Sequence, residues 1–250
     1  MSNQEIKDIC DKYYIKNYTI NDDGTVDVDD GVNLARRRFT EFPIRFGSVS
    51  GDFNANDNQL TTLEGSPHTV GGGFNVGGNK LTNLEGAPQS VGKYFYIMNN
   101  QLTSLVGCPQ EIDGSFSCSN NSLTGLEGCP QIVGEYFSCS ECKLTSCEGG
   151  PKSVGVNYYF QHNDLTNLDG LDTEIGANAK SMGDGGFFCS ENPVGSIVPN
   201  IIKNDYIKWF KSLKIVKGDV VDLKRLKYLK SLFDFQIRID RIEYHYKIKE

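Results

Sequence analysis

Apolar residues recur along most of this chain on a stride of 21. Phe53, Phe74, Phe95, Phe116 and Phe137 form one series, and Leu60, Leu81, Leu102, Leu123, Leu144 and Leu165 form another. Gly65, Gly86, Gly107, Gly128, Gly149 and Gly170 keep the same phase, as do Pro67, Pro88, Pro109, Pro130 and Pro151. A fixed period in this range marks a solenoid, in which each repeat is one coil stacked on its neighbour. One coil alone buries too few side chains to offset the entropy of ordering its backbone, so stacking is obligatory.

The coil from Phe74 to Val91 shows the pattern. Phe74 and Val76 alternate as the inward residues of a short strand. Asn79 follows three residues later, and then Leu81. This apolar-x-apolar-x-x-Asn-x-Leu order is the core of a leucine-rich repeat. Leu84 and Val91 turn inward on the return path, while Gly86 and Pro88 turn the chain. The asparagine recurs as Asn58, Asn79, Asn100, Asn121, Asn163 and Asn192, with Cys142 as the accepted alternative in one coil. A buried amide is tolerable only when hydrogen-bonded. These side chains are therefore expected to form a column that bonds the turning backbone of adjacent coils.

The ends depart from the period. Residues 1–31 predict a cap: an amphipathic helix over 3–12 with Ile6, Ile9 and Cys10 on one side, then a hairpin. Its strands are Tyr18–Ile20 and Val26–Val28, with Asp23-Gly24 as the turn. Val32, Leu34, Phe39, Phe42 and Val49 form a degenerate first coil, with Arg37 in the asparagine position. The solenoid runs over 32–198 and is interrupted by a Gly/Ala/Asn/Ser-rich insertion at 171–186, a loop. Phe187-Phe188-Cys189 and Asn192 then restore the pattern at an offset of 29. In 199–250, Ile202, Tyr206, Trp209, Phe210 and Leu213 have helical spacing. A second helix is predicted from Asp219, carrying Leu223, Leu226, Leu229 and Phe233, and strand alternation follows from Ile237 to Ile248. The fold class is thus a repeat solenoid of leucine-rich-repeat-like coils with short parallel strands, an N-terminal helix and hairpin cap, and a C-terminal α+β cap.

Composition narrows the function. No run of 18 apolar residues exists among the 250, so no membrane span is expected. The N-terminus lacks an apolar signal region, which predicts a cytoplasmic location. The net charge of −7 is uneven. Residues 199–250 carry 13 Lys/Arg against 7 Asp/Glu, and the rest carries 12 against 25, so an acidic solenoid (−13) bears a basic tail (+6). Acidic surface argues against the repeats gripping phosphate backbones. Cys118, Cys139 and Cys189 hold the inward strand position, and Cys108 and Cys129 hold the small slot before proline. They read as small buried hydrophobes in a reducing compartment.

The segment Asn-Asn-Ser-Leu-Thr-Gly-Leu-Glu-Gly-Cys-Pro-Gln over 120–131, followed by Phe-Ser-Cys-Ser over 137–140, resembles a family of short leucine-rich repeats common in tailed-phage and other viral genomes. The segment from Asn17 to Leu34 resembles that family's entry, and the likeness covers roughly residues 10–200. It implies a leucine-rich-repeat solenoid of viral origin acting in a host cytoplasm. It brings no catalytic residues and no cofactor. Cys147 for leucine, Val106 for glutamate and the 171–186 insertion depart from its pattern.

Candidate chemistry is sparse. His68, His162 and His245 fall in a turn, beside a strand and in the tail, with no serine or cysteine grouping for nucleophilic catalysis. Cys139, Cys142 and Cys147 mimic a zinc half-site but occupy inward positions. Glu64, Glu85, Glu127, Glu148 and Asp169 line one turn edge, where a calcium row competes with plain solvation. No metal and no cofactor are expected.

Outward strand residues form two rows: Asp52, Gly73, Tyr94, Ser115, Tyr136, Asn157, and Asn54, Asn75, Tyr96, Ser117, Ser138, Tyr159, Phe188. Met98, Gln161 and His162 lie beyond them. Tyr94, Tyr96, Met98, Tyr136, Tyr159, Gln161, His162 and Phe188 are the candidate binding residues, because Tyr, Met and Phe are what interface anchors are made of. Strand propensity alone would also place aromatics here. The expectation is a non-enzymatic module that binds a host protein through this face and counters antiviral defence. The alternatives are nucleic-acid binding by the basic tail, nucleic-acid mimicry by the acidic coils, and a structural role in a virion.

Overall fold

The computed structural model describes residues 1–166, 168, 170–178, 186–189 and 192, and toward the C-terminus 201–203, 216–217, 220–222, 226 and 247–249. The repeats form a parallel β-solenoid of about seven turns. Each coil contributes a strand of two to four residues to each of two sheets. The aromatic sheet runs through Val32–Asn33, Phe53–Asn54, Phe74–Asn75, Phe95–Tyr96, Phe116–Ser117, Phe137–Ser138, Tyr158–Tyr159 and Gly186–Phe188. The valine sheet starts from the hairpin Tyr18–Ile20 and Val26–Val28 and continues through Phe46–Val49, Thr69–Val70 and Ser90–Val91. After a break it resumes with Glu111–Ile112, Ile132–Val133, Ser153–Val154 and Glu174–Ile175.

The register keeps the sequence period. Phe53 pairs with Phe74, Phe74 with Phe95, and so on to Tyr158, which pairs with Phe187 at the offset of 29. The inward rings stack: centroids are 5.6 Å apart for Phe53–Phe74, 5.3 Å for Phe74–Phe95 and 6.1 Å for Phe95–Phe116, with planes 9–21° apart. Each pair adds about 0.5–1.5 kcal/mol beyond area burial. Leucines such as Leu60, Leu63, Leu81 and Leu84 and the valine-sheet residues Val70, Val91, Val133 and Val154 complete one continuous core.

Three corners make the coil. At the first, one residue turns left-handed: Asp57, Asn99, Asn120, Glu141 and His162 have φ of 54–55°, and Gly78 has 69°. The following residue is the column asparagine, or Cys142 after Glu141. Asn79 donates to Ala55 O and Val76 O at 3.1 and 2.9 Å and accepts from Leu60 N at 2.9 Å. Asn58, Asn100, Asn121, Asn163 and Asn192 repeat this scheme. All but the half-buried Asn100 are buried, so the amides sit inside the stack as expected.

The second corner is a four-residue turn closed by bonds such as Ser66 N to Leu63 O at 2.9 Å. Its third residue, Gly65 in this coil, has φ of 86°, a value that selects glycine. The third corner demands glycine for contact rather than torsion. A Cβ at Gly71, Gly92, Gly134 or Gly155 would strike the carbonyl oxygen of the coil beneath.

The break in the valine sheet lies at that third corner. Asp113 occupies the position of Gly92 and Gly134. Bonds of the type Gly92 N to Val70 O, Gln89 N to His68 O and Lys93 N to Gly72 O recur along the stack. Asp113 N, Gln110 N and Gly114 N make none of their counterparts, and the strands at Ser90–Val91 and Glu111–Ile112 do not pair with each other. Asp113 thus brings a Cβ to a corner where the adjacent coils carry glycine.

The N-terminal cap follows the sequence. A helix spans Asn3–Lys12 with Ser2 and Glu5 in a capping box, and Ile6 and Cys10 are buried. The hairpin pairs Tyr18 with Val28 and Ile20 with Val26, and Asp23-Gly24 lie in its loop between Asn21 and Thr25, where Gly24 has φ of 77°. Asp23 Oδ1 closes that loop by accepting from Thr25 N and Oγ1 at 3.0 and 2.7 Å.

The C-terminal expectations need correction where residues are described. Ile201–Lys203 is a strand antiparallel to Gly186–Phe188, not the start of a helix. This strand pairs along the edge of the aromatic sheet that would otherwise be left open. Val220–Asp222 is likewise a strand, paired with Val216–Lys217 and Lys247–Lys249, where a helix from Asp219 was expected. Leu226 is helical and buried. The remainder of both expected helices, and of the insertion beyond 178, lies outside the described residues.

Candidate functional site

Residues beside each inward phenylalanine point outward, because strand side chains alternate. This alternation gathers the tyrosines into two groups. Tyr94 and Tyr96 stack with centroids 4.6 Å apart. Tyr94 lies over Gly73, where any Cβ would strike its ring, and the Met98 sulfur sits 2.9 Å from a Cβ placed on Gly77. In the second group Tyr159 is 4.8 Å from Phe188 and 6.1 Å from Tyr136. Asn157 fixes Tyr159 by donating to its hydroxyl at 3.2 Å, and Asn157 Oδ1 accepts from Gly186 N at 3.0 Å. The coil between the groups offers only Ser115 and Ser117, so the rows dip there.

Gln161 is held by Ser140 Oγ, which donates to Oε1 at 3.1 Å. His162 is exposed at the left-handed corner, not on the strand. Of the eight candidates, the aromatic five therefore form two contiguous groups, Met98 extends the first, and His162 serves the turn.

A slot of about 340 Å³ opens beside Tyr94 and Tyr96, lined also by Gly92, Lys93, Asp113, Gly114, Ser115 and Glu135. Ser115 is buried, and its Oγ donates to Glu135 Oε2 at 2.9 Å. Lys93 Nζ lies 3.9 Å from Asp52 Oδ1, which also accepts from Gly73 N at 2.8 Å. Burial, and then the Asp52 charge, push the Tyr94 phenol upward, so it stays protonated. Sequence reasoning missed Lys93, Asp113 and Glu135. The signal was a column of corner glycines interrupted by charge in consecutive coils.

The other candidates do not converge. Burial pushes the Cys139 and Cys142 thiols upward, away from the thiolate that a metal needs. Among the described residues, no group of three or more His, Cys, Asp or Glu has the placement to hold a metal ion. Glu64, Glu85, Glu127 and Glu148 are exposed along their edge, and Val106, 61% exposed, breaks the row. No helix among the described residues is long and apolar enough to cross a membrane.

No family model, curated protein or solved structure matches the chain. The chemistry of the site is accordingly read from its geometry: flat aromatic faces, a buried hydroxyl and two carboxylates around an open slot.

Proposed function

We propose that this chain is a non-enzymatic module that captures another protein through the outward rows of its aromatic sheet. One observation carries this reading. Two aromatic groups, Tyr94–Tyr96 and Tyr136–Tyr159–Phe188, stay half-open on a sheet whose inner side is already filled by stacked phenylalanines. Rigid aromatics with a polar tip are the side chains that anchor interfaces, and they lose little entropy on binding. The resemblance to viral leucine-rich repeats favours a host protein as partner, in the host cytoplasm, with antiviral defence as the process countered. Eight buried cysteines, none in a disulfide, fit a reducing compartment.

Triple alanine replacement at Tyr94, Tyr96 and Tyr159 tests it. The immobilised variant is expected to lose the protein that wild type captures from host lysate, with little change in melting temperature. Equal capture by the two would remove the reading.

The excess of 13 Lys/Arg over 7 Asp/Glu in residues 199–250 favours a second reading, nucleic-acid binding by the tail. A band shift that collapses between low and high salt would support it.

A further inference from the structure

We propose that the slot beside Tyr94 and Tyr96 receives an arginine side chain from a basic segment of the partner protein. This rests on the strand-face capture above and gives that capture its chemistry. The stacked tyrosines present a π face, on which a planar guanidinium sits favourably. Asp113 and Glu135 line the same slot, and a carboxylate receives the guanidinium fork through two parallel hydrogen bonds. Glu135 is oriented from below by the buried Ser115 hydroxyl. Among the described residues Asp113 has neither hydrogen-bond nor ion-pair partner for its carboxylate. Among the described residues Lys93 is the one cation lining the slot, and it leans toward Asp52 instead.

Two further observations point the same way. Asp113 stands where the stack calls for glycine, and three inter-coil hydrogen bonds are missing around it. A carboxylate kept at a structural cost is a mark of a functional position. The charge of −13 over residues 1–198 also draws a basic partner and repels an acidic one. Arginine is favoured over lysine because only the guanidinium both stacks and forks.

The test is calorimetric titration of the full chain with an acetylated, amidated seven-residue peptide, Gly-Ser-Arg-Gly-Arg-Ser-Gly. Saturable binding is expected. Replacing both arginines by citrulline, which keeps the shape and removes the charge, is expected to weaken it about tenfold or more, and replacement by lysine about threefold. Glu135→Gln, Asp113→Asn and Tyr96→Ala are each expected to weaken it about three- to tenfold, and Glu174→Gln, on the other sheet, to leave it unchanged. The proposal is overturned by absence of saturable binding, by equal affinity for the arginine and citrulline peptides, or by wild-type affinity in Glu135→Gln and Asp113→Asn. Saturation of the slot by maltotriose with displacement of the peptide would also overturn it, in favour of a sugar. If lysate capture depends on Tyr94, Tyr96 and Tyr159 but not on Asp113 or Glu135, the strand-face reading stands and only the arginine slot falls.

Discussion

Tyr158 stands in the phenylalanine column with its hydroxyl buried and without a hydrogen-bond partner. Burial, then the neighbouring thiols Cys139 and Cys147, hold the phenol well above its usual range, so it is neutral. A buried, unmade hydrogen bond costs about 1–3 kcal/mol. Tyr158→Phe is therefore expected to raise stability by about 1 kcal/mol, or about 2–4 °C in Tm. A lowered Tm would mean that the hydroxyl has a bridging water. Cys142 breaks the asparagine column in the same region. Its sulfur lies 3.6–3.7 Å from Ser140 O and Cys118 O, and the N–H of Leu123 faces only this thiol. Cys142→Asn restores the acceptor that Leu60, Leu81 and Leu102 have, and is expected to add about 1 kcal/mol in a urea melt. The column was legible in the sequence because its period and residue type coincide. The left-handed residue before it was not, because Glu141 and His162 carry no sign of a positive φ.

At the scale of elements, the aromatic strands were legible and the valine strands were not. Phe74 and Val76 alternate around a residue, whereas Ser90–Val91 is two residues long and turns only Val91 inward. Two residues show no period. The described starts of the two expected C-terminal helices are strands for the opposite reason: the spacing of Ile202 and Val221 suits either period, and pairing with neighbouring strands decides for β. In the hairpin, hydrogen bonds from Ser48 and Asn21 hold the Asp27 carboxyl below its usual range. A depressed pKa contributes stability above the unfolded carboxylate value, near pH 4, and loses it as pH falls through the lower folded value. Asp27→Asn should thus lower Tm at pH 7 and converge on wild type below about pH 3. A gap that persists in acid would assign Asp27 a role independent of its charge.

Across the whole molecule, coil after coil repeats one set of contacts, and the sequence departs from it where the slot lies. Lys93, Asp113 and Glu135 put charges at corner positions that most other coils fill with small residues, and Tyr94 and Tyr96 place two rings in one coil where the adjacent coils have Gly73, Asn75, Ser115 and Ser117. The architecture was legible because repetition multiplies each weak signal. The slot was hidden because it exists only as differences between repeats, assembled from three coils. Stability and binding should therefore respond to Asp113 with opposite signs. Restoring three inter-coil bonds at about 1 kcal/mol each outweighs the roughly 1 kcal/mol entropic cost of a glycine. The most direct measurement is a thermal melt of Asp113→Gly beside its titration with the arginine peptide. The expected result is a Tm higher by several degrees together with affinity lower by about three- to tenfold. An unchanged or lower Tm with undiminished affinity would contradict it.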